Sequence, residues 1–299
     1  MTFIKLLHNI LLVMILVLGL VAMGAGTAHA EAADAGKAGE TEKAEDTLKP
    51  VIGPRAELIL RAMSDYMKSV QQFSVLGKIS LDDTLPTGQK IQYTQEKKLA
   101  IRRPDRAYAE AWGDLGNKRF WHDGKRTTLV DGTLGVYATV DDVPGELGAL
   151  MDHLFEKYDF APPLADLVYP DIYEAVIGNV QFGNYVGLHD VEGIRCHHLA
   201  FVTKYIDWQV WIEDGLQMVP RKFLITYKAQ PESPQYQAIL TDWDLDARLP
   251  DVLFNVETAA LANLDKIEFL SEVDLKDMST DVDFKEMSKE KGAGHEADK

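Results

Sequence analysis

The feature that most restricts the fold of this chain is a two-residue alternation of apolar and polar side chains, which runs through residues 73–142 and again through residues 179–246. Neighbouring side chains of a β-strand point to opposite faces, so this alternation predicts strands with one inward and one outward face. Asp-Gly pairs, single glycines and acidic turns divide the region into about eleven segments. Long consecutive antiparallel strands of this kind form a sheet that needs one face covered.

Two helical regions accompany the strands. Apolar residues recur at three- and four-residue steps between Pro54 and Phe73, which predicts an amphipathic helix at the start of the domain. A block at 144–160 and a shorter piece at 162–176 have the same periodicity and lie between the sixth and seventh strands. Two or three helices are too few for a layer on each face. We therefore predict an α+β, mainly β fold, in which one strongly curved antiparallel sheet has the helices on its concave side.

The N-terminus has the pattern of an export signal. Lys5 precedes an apolar run at 10–23, and residues 27–30 are small at the positions that a signal peptidase reads. We predict a cleaved signal peptide at residues 1–30 and a periplasmic protein. An uncleaved anchor is the alternative, although the run is shorter than the ~20 residues of a spanning helix.

The rest of the chain divides into three parts. Residues 31–52 and 271–299 are small and charged with little to bury, which predicts a disordered linker and a flexible tail around one domain at 53–270. The formal charge is −16, and −17 after loss of Lys5 with the signal, which argues against a nucleic-acid partner. A single cysteine permits no intramolecular disulfide, so core packing must hold the domain together.

Three short motifs follow one another within residues 54–270: Phe73-Ser74, Arg102-Arg103-Pro104 and His122-Asp123-Gly124-Lys125. In their order and spacing they resemble motifs of the LolA/LolB-like lipoprotein-carrier superfamily of the bacterial envelope. The runs GIRCHHLAF, DWQVWIEDG and VPRKFLITYK are similar to a group of predicted periplasmic proteins of unknown function related to those carriers.

This resemblance implies an unclosed half-barrel of about eleven strands that shelters an apolar molecule under a mid-chain helical lid. It also implies that Arg103 lies at the cavity mouth and helps to hold the lid closed. The chain departs from the carriers directly after Pro104, where it has Asp105-Arg106-Ala107 instead of an apolar or aromatic residue. That departure weakens the case for an acyl contact at this point.

The Cys196-His197-His198 run is the strongest candidate for metal or thiol chemistry. Cys196 and His198 share one face of a strand, but zinc needs three or four ligands and no second Cys/His cluster is present in the sequence. We interpret the run as structural, with a metal site as a weak alternative. The aspartates of TDWDLDARLPD lack the Gly and Glu of a calcium loop and are expected to be the outward residues of a strand.

The predicted function is sheltering of a lipid or lipidated partner in an apolar cavity. The alternatives are an envelope sensor or protein-interaction module and, third, a hydrolase with an unrecognised site. No catalytic motif is present in the sequence and no cofactor is implied. Alternation alone does not say which face is concave, because some strands are apolar on both. The predicted cavity residues are Arg103, Tyr108, Trp112, Val136, Leu150, Leu154, Leu199, Phe201, Trp208, Val210, Phe223 and Ile225.

Overall fold

The computed structural model describes residues 51–269 except 86, 159, 161 and 163. The predicted signal peptide, most of the predicted linker and the predicted tail lie outside the described residues. The helices are α1 (Pro54–Ser69), α2 (Leu147–Tyr158), α3 (Ile172–Ile177) and α4 (Thr258–Leu261), with 3-10 helices at Ala165–Val168 and Asp251–Phe254. The strands are β1 (Val51–Ile52), β2 (Gln72–Thr84), β3 (Lys90–Arg102), β4 (Arg106–Gly113), β5 (Lys118–His122), β6 (Arg126–Asp131), β7 (Val136–Asp141), β8 (Phe182–Val191), β9 (Ile194–Val202), β10 (Ile206–Glu213), β11 (Pro220–Tyr227), β12 (Gln235–Asp244) and β13 (Asp265–Lys266).

One sheet contains all of these strands, in the order β1-β8-β9-β10-β11-β12-β2-β3-β4-β5-β6-β7-β13. Two antiparallel meanders, β2–β7 and β8–β12, are joined where β12 pairs with β2. The outermost strands, β1 and β13, do not pair with each other, so the curved sheet is an unclosed half-barrel. This confirms the predicted fold class.

The eleven predicted strands correspond to β2–β12, and the two additional strands are short parallel additions at the sheet edges. Val51 and Ile52 pair with Phe182 and Gly183 of β8. The prediction placed these two residues in the linker, so the ordered domain extends at least two residues further towards the N-terminus. Two apolar residues are too few for a periodicity to reveal a strand.

The concave face of the sheet is the face that holds the main core. On β2 it is formed by Phe73, Val75, Ile79 and Leu81, whose exposed fractions are 0–8%. Helix α1 packs against this core with Ile59, Leu60, Met63 and Met67, the three- and four-residue spacing that the sequence shows. Pro54 occupies the first turn of α1, where its missing N–H removes no helical hydrogen bond.

Helix α2, the 3-10 helix at Ala165–Val168 and helix α3 connect β7 to β8, and we call this segment the lid. Leu147, Leu150, Met151 and Leu154 of α2 are buried in the same core as the concave face. The predicted position of the helical lid, mid-chain and on the concave side, is therefore confirmed. The lid thus covers the apolar concave face of the sheet.

Candidate functional site: the concave face beneath the lid

Strand register brings most of the predicted cavity residues together on the concave face. Leu199, Val210 and Phe223 form one row across β9, β10 and β11. Phe201, Trp208 and Ile225 form the next row, and the rings of Phe201 and Trp208 stack with their centroids 4.1 Å apart. Val136 lies on the same face at the other end of the sheet. It is the last member of a row of register partners that begins with Lys97 and continues through Ala111 and Lys118. Leu150 and Leu154 reach the concave core from α2.

Tyr108 and Trp112 are the exceptions, and their prediction is corrected by the register. Ala107 belongs to the concave core, so Tyr108, the next residue on β4, faces the opposite, convex side. Tyr108 contacts the Trp121 ring there, at a centroid distance of 5.6 Å, and donates a hydrogen bond to Glu110. Trp112 pairs with Glu96 on the same side. Aromatic side chains occur on both faces of this sheet, so residue type alone could not show which face Tyr108 and Trp112 occupy.

Arg103 lies where β3 ends and binds the lid. Its Nη1 donates to the carbonyl of Val168 at 2.7 Å and its Nη2 to the carbonyl of Leu167 at 3.2 Å. Both acceptors belong to the 3-10 helix, so a single guanidinium joins the end of β3 to the middle of the lid. Burial lowers the pKa of Arg103 from its ordinary value. The buried Nε has no hydrogen-bond partner among the described residues.

Further contacts fix the two ends of the lid. Near its start, Nε2 of His122 lies 3.1 Å from the carbonyl oxygen of Gly145, and Nδ1 lies 3.1 Å from the Thr127 hydroxyl. A carbonyl only accepts, so Nε2 carries the proton; burial lowers the pKa of His122. Near its end, Ser64 of α1 donates to Asp171 and accepts from the backbone N–H of Tyr173, at 3.2 and 3.0 Å. The lid is thus attached to both the sheet and α1.

The wall beneath the lid is apolar but not fully covered. Several of its side chains pack against the core while remaining only partly buried, in contrast to the fully buried residues of β2 and α1. We call them the inner wall: Tyr93, Leu99, Phe120, Leu129, Phe223, Ile225 and Tyr227. A partly accessible apolar wall on the concave side can receive hydrocarbon.

Two polar side chains on the concave face were not among the predicted site residues. Burial lowers the pKa of Lys97, on β3, to about 8, although part of the residue remains accessible to solvent. Tyr236 of β12 has a buried hydroxyl without a hydrogen-bond partner among the described residues. Strand alternation could have found Lys97, because it follows Ile91 and Tyr93 and precedes Leu99 in the inward series.

Cys196 and His198 lie on the convex face, outside the space beneath the lid. Cys196 is fully buried beside Val191 and Trp211, and burial raises the pKa of its thiol to about 11. Such a thiol is protonated at neutral pH and is a poor nucleophile. His198 is hydrogen-bonded to His189 and Gln209 and stacks on Trp211, with centroids 4.0 Å apart. These contacts support the structural interpretation of the run.

The acidic run at the end of β12 also behaves as a strand surface. Asp242, Asp244 and Asp246 are exposed, while Trp243 and Leu245 pack against the core. Among the described residues, no three His, Cys, Asp or Glu side chains are grouped so that they could hold a metal ion. No helix within the described part of the chain is both long and apolar enough to cross a membrane.

An open antiparallel sheet with a helical lid held over its apolar concave face defines an unclosed half-barrel. The chain belongs to the family described as predicted periplasmic protein (DUF2092), whose sequence model matches residues 56–270. This agrees with both the predicted family and the predicted periplasmic localisation. The sequence matches no curated protein.

Three solved structures illustrate the likeness of fold. LprF from Mycobacterium bovis is 15% identical, with 66% of this chain and 97% of that chain covered and a TM-score of 0.41. Mycobacterium tuberculosis lipoprotein LppX is 14% identical, with 64% and 95% covered and a TM-score of 0.38. The LolA superfamily protein NE2245 from Nitrosomonas europaea is 10% identical, with 67% and 97% covered and a TM-score of 0.32. These likenesses are distant.

Proposed function

We propose that this protein is a non-catalytic periplasmic binding protein that shelters a lipid or the acyl chain of a lipidated partner between the inner wall and the lid. The observation that carries the proposal is the partly accessible inner wall on the concave face. Leu99, Phe120 and Leu129 form one apolar row across β3, β5 and β6, with Phe223 and Ile225 on the other meander. Each CH₂ moved from water to such a surface contributes about 0.8 kcal/mol.

The attachment of the lid fits this function. Its middle is held to the sheet by the two hydrogen bonds from Arg103 to carbonyls of the 3-10 helix. Exposure of the inner wall would require release of these polar contacts and withdrawal of the apolar side chains of α2, such as Leu150 and Leu154, from the concave core. Gating of this kind requires a cover that is held by breakable bonds over a rigid wall.

Native mass spectrometry of the protein purified from the periplasm tests the proposal. We expect masses above that of the chain, removed by solvent extraction, and we expect the extracted protein to take up the neutral fluorescent probe N-phenyl-1-naphthylamine. A chain that carries no extractable mass and binds no probe would contradict a lipid-binding role.

A protein-interaction module is the second candidate, and the β8 edge favours it. Val51, Leu58, Phe182 and Val186 are apolar and 37–68% exposed near this edge. Among the described residues, only β1 pairs with the outer side of β8, through residues 182 and 183. An exposed strand edge with apolar neighbours can pair with a strand of another protein. Capture of an envelope protein that is lost when Phe182 and Val186 are changed to Ser would support this candidate.

A further inference from the structure

Lys97 lies on the concave face of β3. Its register partners are Gly77 on β2 and Ala111 on β4, which have the smallest side chains available. Ile79 and Leu240 occupy the room above Gly77, because a Cβ at that position would lie 3.4 Å from a methyl carbon of each. Gln95 and Leu99 precede and follow it on the same face of β3.

The ammonium group of Lys97 has no acidic partner. Among the described residues, Nζ of Lys97 makes neither an ion pair nor a hydrogen bond, although the chain contains 47 acidic residues. The charged group that acts on it is Lys118, a second cation, which is bound to Asp131 at 3.5 Å and to the carbonyl of Leu115 at 2.7 Å. The ring of Tyr236 lies 5.7 Å from Nζ.

A second unsatisfied group accompanies this ammonium. The hydroxyl of Tyr236 is buried without a hydrogen-bond partner among the described residues, and the phenol of Tyr227 lies near enough to influence it. A buried hydroxyl without an acceptor is unfavourable in a folded protein. A charged donor and a neutral donor on the concave face thus both lack an acceptor among the described residues.

We propose that Lys97 and Tyr236 together bind the carboxylate of a long-chain carboxylic acid whose hydrocarbon lies along the inner wall. This inference rests on the proposed function and adds the chemistry of the headgroup. One ammonium balances one negative charge, which is the charge of an ionised carboxylate. The inner wall continues from Lys97 along Leu99 on the same strand and reaches Phe120 and Leu129 on neighbouring strands, so a chain can extend from the headgroup over apolar surface.

Displacement of N-phenyl-1-naphthylamine from the solvent-extracted, full-length exported protein tests this inference. Hexadecanoic acid and hexadecan-1-ol have the same chain length and differ in charge. We expect the wild-type protein to prefer the acid, and Lys97→Met to reduce the ratio of acid to alcohol affinity about tenfold to a hundredfold, as for loss of a charge-assisted hydrogen bond. Tyr236→Phe should reduce the ratio by a smaller factor.

Lys98→Met is the matched control, because Lys98 is the next residue on β3 and is exposed on the convex face. We expect it to leave both affinities unchanged. Should Lys97→Met fail to fold by circular dichroism, Lys97→Gln and Tyr236→Phe supply the same comparison. An unchanged preference for the acid in these variants would overturn the headgroup assignment while leaving lipid binding intact. Failure of both lipids to displace the probe from wild-type protein would instead overturn the proposed function.

Discussion

Lys97 carries an ammonium group that has no acidic partner among the described residues. Burial, together with the nearby charge of Lys118, lowers its pKa from 10.5 to about 8, which corresponds to roughly 3 kcal/mol of unfavourable free energy while the group is protonated. An apolar side chain of similar length at this position would avoid that unfavourable free energy.

We therefore predict that Lys97→Met raises the free energy of unfolding by roughly 3 kcal/mol at pH 7. The gain should be complete below pH 8, where both folded and unfolded wild-type chains are protonated at Lys97. Between pH 8 and 10.5 the unfolded wild-type chain binds more protons, so the wild type gains stability with pH and the difference shrinks. Urea unfolding of both proteins at pH 7, 8, 9 and 10 measures this.

The comparison between the two proteins removes the contribution of other titrating groups. The raised pKa values of Cys196 and Tyr227, about 11 and about 12, affect both proteins equally. Lys98→Met again serves as the control and should show no pH-dependent difference from wild type. A Lys97→Met protein that is less stable than wild type at pH 7 would mean that the ammonium is well solvated or paired in the folded protein.

At the scale of secondary structure elements, the middle of the lid is held to the sheet by the side chain of Arg103. The 3-10 helix at Ala165–Val168 is too short to be stable alone. The carbonyls of Leu167 and Val168 accept hydrogen bonds from the guanidinium of Arg103, the residue that directly follows β3. Charge-assisted hydrogen bonds of this kind are worth roughly 1.5–3 kcal/mol each.

Arg103→Leu should therefore open the lid locally. We predict that amide hydrogen exchange in residues 165–169 becomes at least about tenfold faster, because 1.4 kcal/mol of lost protection corresponds to a factor of ten. Arg102→Leu is the matched control: Arg102 donates to the carbonyl of Leu249 and pairs with Asp251, away from the lid. It should accelerate exchange near 249–254 instead. Equal rates of amide hydrogen exchange in residues 165–169 of both variants would show that the hydrogen bonds of Arg103 do not hold the lid closed.

The sequence predicted those helices and strands whose repeating pattern of apolar residues extends over many positions. Strands β2–β12, α1 and the lid helices each bury a repeating set of side chains, so alternation or a three- and four-residue step identifies them. Strands β1 and β13 have two residues each and no period. The face of a strand was harder to assign, because Val191, Cys196 and Trp211 form a second apolar cluster on the convex side. Tyr108 and Trp112 were wrongly predicted to line the cavity for the same reason: they are aromatic but lie on the convex face.

At the scale of the whole molecule, the two faces of the sheet carry different tryptophans, and this gives a direct way to locate a bound lipid. Trp208 and Trp243 belong to the concave core, Trp208 in the row with Phe201 and Trp243 against the ring of Phe73, with centroids 5.4 Å apart. Trp112, Trp121 and Trp211 lie on the convex face. Only a ligand on the concave face can approach the first pair closely.

We predict that 9,10-dibromooctadecanoic acid, whose bromine atoms quench fluorescence on contact, quenches Trp208 most strongly when it binds. Trp208 forms part of the wall beside Ile225, an inner-wall residue. Titration of the Trp208→Phe variant should show much less quenching than wild type. Trp211→Phe, which changes a tryptophan three residues further along β10 on the opposite face, should keep the quenching. The reverse result, quenching lost with Trp211 and kept without Trp208, would place the lipid on the convex face. The half-barrel would then act as a scaffold for an outer surface, because a lipid bound there would leave the space beneath the lid unused.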